Sequence, residues 1–158
     1  MALSLEHLKL LNPKISQLEL GTGGVPDVSW HEVCDLLAKV SPDCRHFARL
    51  NYAGDPGYRV PLVEGLTRKL FLEDRKNKRP LWRSPFMWHR IIDLGVTLYL
   101  KRVQLTRRAK AAEVDVRHWK RHHEKTLQIA VNSIDELDYD LRVAIRDWNM
   151  DNESRITD

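Results

Sequence analysis

Positive charge is concentrated in one stretch of this chain, residues 101–125. The stretch contains nine Lys or Arg and three acidic residues, a net charge of +6, whereas the whole chain has a formal net charge of +4. Lys and Arg side chains pair with phosphate oxygens, and a basic surface on one element is the usual electrostatic footprint of nucleic-acid binding. The stretch therefore predicts a surface that contacts the phosphate backbone of DNA.

The elements that would position these cations are two short helices joined by a tight turn. Residues 105–122, LTRRAKAAEVDVRHWKRH, place the small residues Ala109 and Ala112 where two helices approach closely, and Val114 in the turn. Asp115 is a suitable N-cap for the second helix. This pattern predicts a helix-turn-helix, in which the outer face of the second helix is free to enter the major groove.

Spacing divides the basic residues into two predicted roles. Arg117, Lys120 and Arg121 lie at i, i+3 and i+4 on the second helix, so we expect them on its groove-facing side. Trp119 lies between them and is expected to point inward. A second set of residues is expected to hold phosphates: Lys101, Thr106, Arg107, Arg108 and Lys125.

A second basic segment, residues 75–83, includes Arg79, Trp82 and Arg83 and is followed by Pro85. Two interpretations remain open, since basic tracts serve both as solvated connectors and as phosphate contacts. An exposed tryptophan among cations favours contact, because its ring can stack on a base or a partner surface. Arg79, Trp82 and Arg83 are therefore candidates for contact with RNA or RNA polymerase.

Helical patterning runs through almost the whole chain and predicts an all-α fold with several helices. Capping boxes or N-caps are expected at Ser29, Ser41 and Ser133, the last one starting the final helix. A longer helix over 86–102 would support the helix-turn-helix. Three regions are predicted, namely an N-terminal helical region (1–74), a basic linker (75–85) and a helix-turn-helix region with an acidic C-terminal helix (86–158).

Four potential metal ligands lie close together in sequence: His31, Cys34, Cys44 and His46. Their residue types suit a structural zinc site, but an amphipathic helix also buries thiols as ordinary core residues. We expect the second situation and therefore no metal. No glycine-rich phosphate loop or catalytic constellation is recognisable in the sequence, so neither an enzyme nor a cofactor is predicted.

The sequence over 86–134, which contains RIIDLGVTLYLKRVQLTRRAKAAEVDVRHWKRHHEKTLQIA, resembles the sigma-factor region that reads the −35 promoter element. It is also similar to the DNA-binding core of bacteriophage late-gene antiterminators of the Q class and the AlpA type. That resemblance implies a regulator that loads from double-stranded DNA onto RNA polymerase, with sigma factor as a further candidate partner, and lets terminators be read through. Carried onto this chain, it implies base-reading residues: Asp115, Val116, Arg117, Lys120 and Arg121.

Two other functions fit the same features, a DNA-packaging or replication accessory protein and a helical protein-interaction module. Residues 133–158 have a net charge of −5, which disfavours DNA and suits water or a basic protein surface. No apolar run reaches the roughly 18 residues that span a bilayer. We therefore expect a cytoplasmic protein without a membrane partner.

Overall fold

The computed structural model describes residues 2–12, 28–101 and 124–157. Every regular element in these ranges is helical, which confirms the predicted all-α fold class. The elements are a 3₁₀ helix (Leu5–Leu11), α1 (Trp30–Leu37), α2 (Pro42–Asn51), a 3₁₀ turn (Pro56–Tyr58), α3 (Arg59–Arg75), α4 (Pro85–Lys101) and α5 (Glu124–Thr157). The predicted helix-turn-helix, residues 105–122, lies outside the described residues.

Two helix starts predicted from the sequence are confirmed. The Ser29 hydroxyl accepts a hydrogen bond from the Glu32 amide at 3.3 Å, and Glu32 Oε2 accepts one from the Ser29 amide at 2.7 Å. The Ser41 hydroxyl likewise accepts from the Cys44 amide at 3.2 Å. Each cap satisfies a backbone donor that the first helical turn leaves without a partner.

The predicted helix start at Ser133 is wrong. α5 continues from Glu124 to Thr157, and Ser133 is a buried residue within it. Buried residues recur at helical spacing on both sides of that position: Leu127, Ala130, Ile134, Leu137, Leu141 and Ile145. Neither Gly nor Pro occurs between 124 and 157, so nothing interrupts the helix.

The described chain divides into two compact units, and the first comprises Met1–Arg59 with Leu137–Asp158. Its core contains Leu8, Val33, Phe47 and Leu141. The Asn149 side chain accepts from the Leu3 amide at 2.8 Å and donates to the Leu3 carbonyl at 2.9 Å, which fixes the N-terminal segment on α5.

A polar cluster, here called the Tyr52 junction, joins the C-terminal end of α2 to α5 within the first unit. It consists of Tyr52, Asp138 and Arg142. The Tyr52 hydroxyl donates to Asp138 Oδ1, Arg142 Nε donates to Asp138 Oδ2 at 2.9 Å, and Arg142 Nη2 donates to the Tyr52 oxygen at 3.3 Å. Burial and the hydrogen bond to the Asp138 carboxylate raise the pKa of Tyr52 to about 12.

The second unit comprises Val60–Glu136 and contains α3 from its second residue onward, α4 and the first part of α5. A Cβ added to Gly95 would lie 3.5 Å from both Ala130 Cβ and Leu127 Cδ1, so α4 and α5 are in close contact there. Residues 75–85 lie inside this unit. The structural division therefore differs from the predicted one, in which this segment was a linker between two regions.

Candidate nucleic-acid interface

A buried carboxylate in the last turn of α3 organises residues 75–83, here called the basic loop. Asp74 is 4% exposed. Its Oδ1 accepts from the Leu81 amide at 2.8 Å, and its Oδ2 accepts from the Trp82 amide at 3.0 Å and from Trp88 Nε1 at 3.1 Å. One side chain therefore holds both the end of the loop and the first turns of α4.

Asp74 stays ionised although it is buried. Burial on its own raises the pKa of a carboxyl group, but the hydrogen bonds from Trp82, Leu81, Trp88 and Asn77 favour the charged form. Their combined effect lowers the pKa of Asp74 below its ordinary value. Within the described residues, the donors that stabilise this negative charge are neutral.

The cations of the basic loop are exposed. They are Arg75, Lys76, Lys78, Arg79 and Arg83. Within the described residues none of them forms an ion pair, although the Arg75 guanidinium lies over the Phe71 ring at 5.2 Å. The loop therefore presents five positive charges to solvent, with no described carboxylate neutralising them at close range.

The described basic loop contains the three residues that the sequence analysis assigned to this segment, namely Arg79, Trp82 and Arg83. Arg79 and Arg83 are exposed as expected. Trp82 is half-buried and its indole nitrogen is covered, which differs from the expected exposed ring. The reason is local, because the bond from the Trp82 amide to Asp74 draws the residue against the end of α3. Trp82 consequently supports the loop more than it offers a stacking surface.

Neither a family model, nor a curated protein, nor a solved structure matches the chain. Any function must therefore be argued from its own residues. In the helices that the structure describes, no segment is long and apolar enough to cross a membrane.

Most of the other predicted DNA contacts lie outside the described residues. These are Thr106, Arg107, Arg108, Asp115, Val116, Arg117, Lys120 and Arg121. Lys101 is the last residue of α4, with its side chain outside the described part. Lys125 is exposed in the first turn of α5. The described part of the candidate interface thus consists of the basic loop and Lys125.

The four potential zinc ligands do not assemble. Among the described residues, which include all four, no three His, Cys, Asp or Glu side chains form a metal-ligating group. The Cys44 thiol donates to the Leu137 carbonyl at 3.4 Å, His46 faces the Tyr58 ring at 5.9 Å and His31 contacts Trp30. Burial raises the pKa of Cys44 to about 12, so the thiolate that binds zinc is disfavoured.

Sequence reasoning missed Asp74, although one signal was present. An acidic side chain at the C-terminal end of a helix opposes the helix dipole and is unfavourable there unless it makes compensating contacts. Asp74 is the second-last residue of α3 and precedes a run of cations. That combination would have indicated a carboxylate that accepts hydrogen bonds from neighbouring segments of the chain.

Proposed function

We propose that this protein is a DNA-binding regulator of transcription and that its basic loop contacts the phosphate backbone of nucleic acid. The observation that carries the proposal is the set of five exposed cations on a segment held by Asp74. The loop cations add to the basic stretch 101–125, so two separate segments of the chain suit a polyanion.

Order in the loop matters because binding by a flexible segment loses conformational entropy. A loop fixed by Asp74 before it meets its ligand avoids part of that cost. Each cation placed beside a phosphate also releases a condensed counterion, which is the main source of sequence-independent affinity. The basic loop is therefore suited to positioning the protein on nucleic acid.

Base reading is proposed for the second basic segment. Asp115, Val116, Arg117, Lys120 and Arg121 are the candidates, on the strength of the resemblance to sigma-like helix-turn-helix units. The same resemblance supports a sharper form of the proposal, a processive antiterminator that transfers from DNA to RNA polymerase. In that form the basic loop approaches the emerging RNA.

The binding proposal is tested by fluorescence anisotropy with a labelled DNA duplex and a labelled single-stranded RNA over a range of salt concentrations. We expect Arg79→Ala/Arg83→Ala to reduce the slope of log Kobs against log salt by about one unit per lost phosphate contact. The reduction in slope should appear with every duplex sequence, since phosphate contacts do not read bases. The nucleic acid, duplex DNA or single-stranded RNA, whose slope falls more is the one that contacts the loop.

The matched control is Arg68→Ala/Arg90→Ala. It removes the same charge from exposed positions of α3 and α4 in the same unit, outside the loop. Equal reductions of the salt slope in the two double variants would contradict a specific role for the loop. Failure of the parent protein to bind either nucleic acid would overturn the proposal.

The antiterminator form is tested separately by transcription through a downstream terminator. Arg79 and Arg83, the exposed cations of the candidate contact, are changed together to Ala, and Trp82 is kept because it supports the loop. Loss of read-through with retained DNA binding would support contact near the RNA exit path. No read-through by the parent protein would refute antitermination and leave a DNA-binding regulator.

A further inference from the structure

A cleft of about 460 Å³ lies in the first unit, between the turn after α1 and the second half of α5. It is here called the Trp148 groove. Residues 39–41 form one wall and residues 139–151 form the other. The α5 wall is about 18 Å long at 1.5 Å per residue. A groove of this length accommodates a short helical or extended segment of another protein.

The floor of the groove is apolar. Val40, Val143, Ala144 and Trp148 line it, and Trp148 is half-buried. On α5 these positions follow helical spacing, so they form a continuous stripe on one face. An apolar side chain from a partner would lose contact with water on this stripe, which is favourable for association.

The rim of the groove is acidic at both ends of the stripe. Asp140 and Asp151 lie eleven positions apart, on either side of Ala144 and Trp148. Arg146 lies 3.7 Å from Asp147, so these two lining charges offset each other. Asp140 and Asp151 then outweigh the single remaining cation of the lining, Lys39.

We propose that the Trp148 groove binds a segment of a partner protein that presents an apolar side chain flanked by lysine or arginine. The apolar side chain lies on the Trp148 and Ala144 floor, and the cations pair with Asp140 and Asp151. Nucleic acid does not fit this site, because its phosphates would meet carboxylates of the same sign. The groove is thus a protein-docking site, separate in charge and in residues from the basic loop.

The test uses a synthetic helical peptide with leucine along one face and lysine flanking it, titrated into the full chain by isothermal calorimetry. We expect Asp140→Asn/Asp151→Asn to weaken binding about fivefold, as two exposed charge pairs are lost. Ala144→Glu fills the floor while it adds negative charge. If the apolar floor is needed, this variant also binds at least about fivefold more weakly, despite the better charge match.

The matched control is Asp35→Asn/Asp135→Asn, which removes two exposed carboxylates that do not line the groove. Its affinity for the peptide should stay within about twofold of the parent value. Circular dichroism melting of each variant identifies any variant that does not fold. If Ala144→Glu does not fold, the Asp140→Asn/Asp151→Asn variant still tests the proposal.

Four results would overturn the proposal: no peptide binding by the parent, an equal loss of peptide affinity in the control variant, tighter binding by Ala144→Glu, or unchanged binding by Asp140→Asn/Asp151→Asn. Sedimentation velocity supplies a fifth result that would overturn it. If the groove variants abolish self-association that the parent shows, the occupant of the groove is a second copy of this chain. None of these outcomes depends on DNA binding by the parent, so the two proposals fail separately.

Discussion

The basic loop and the Tyr52 junction are both organised by an aspartate, but the two carboxylates work in different surroundings. Asp74 is buried and accepts hydrogen bonds from backbone amides and an indole, with no cation among them. Asp138 has a side chain that is 18% exposed and accepts from a phenol and a guanidinium. Asp74 fixes the path of the chain in the basic loop, whereas Asp138 connects α5 to the end of α2.

This difference predicts how much each aspartate contributes to stability. A buried acceptor cannot be replaced by water when it is removed, so its donors are left without partners. A partly exposed acceptor leaves donors that water reaches, and its ion pair is weakened by solvent and salt. We therefore expect the largest effects at Asp74 and progressively smaller ones at Tyr52 and Arg142.

The largest effect is expected for Asp74→Ala, which should lower the free energy of unfolding by about 3–4 kcal/mol. The substitution leaves the buried Trp88 indole N–H and the part-buried Leu81 and Trp82 amides without their acceptor. Urea unfolding followed by circular dichroism measures the change. Glu73→Ala, at the exposed neighbouring carboxylate, is the control and should stay within about 0.5 kcal/mol of the parent. A loss below about 1 kcal/mol for Asp74→Ala would contradict the buried role.

The pH dependence of Asp74→Asn sharpens the same comparison. Because the pKa of Asp74 is lowered in the folded state, its stabilising effect is present above the unfolded value, near 3.9. The effect is lost as the pH falls through the folded pKa. The stability gap between parent and Asp74→Asn should therefore narrow below about pH 4. A gap that stays constant down to pH 2 would show that the charge of Asp74 is not what the donors stabilise.

A smaller effect is expected for Tyr52→Phe, about 1.5 kcal/mol, because a hydroxyl that donates to an ionised carboxylate is removed while the ring remains. The pKa of Tyr52 is raised to about 12 in the folded state, so this stabilisation is complete below pH 10 and disappears as the pH rises towards 12. Thermal melts of parent and variant between pH 10 and 12 measure the difference in stability between them. Tyr139→Phe, at an exposed ring, should show neither effect. A gap independent of pH would exclude the Tyr52–Asp138 bond as its source.

The sequence predicted the parts of the fold whose causes are local. The caps at Ser29 and Ser41 involve atoms three residues apart, so their pattern is visible in the printed sequence. The same local pattern at Ser133 was misleading, because the apolar stripe of α5 passes through it and stabilises one long helix. A capping motif therefore predicts a helix start only where the periodicity also breaks.

The contacts of Asp74 could not be predicted in full, since two of its donors are backbone amides seven and eight residues away. Every non-proline residue has such a donor, so no residue type reveals the pairing. The Tyr52–Asp138 bond joins residues 86 positions apart and depends on how α2 packs on α5. The cations of the basic loop, by contrast, were visible from composition, although their arrangement around Asp74 was not.

The smallest effect in the comparison is expected for Arg142→Ala, about 0.5 kcal/mol. Its Nε lies 2.9 Å from Asp138 Oδ2, but the Arg142 side chain is 57% exposed, and exposed ion pairs contribute little. The effect should become smaller in 1 M salt, where the Debye length falls to about 3 Å. Arg146→Ala is the matched control, since its 3.7 Å contact with Asp147 joins two more exposed side chains, and we expect no measurable change. A salt-independent loss at Arg142 comparable to that at Tyr52 would mean that the junction acts as one buried network. Asp138 would then resemble Asp74, and the distinction between the two carboxylates would fail.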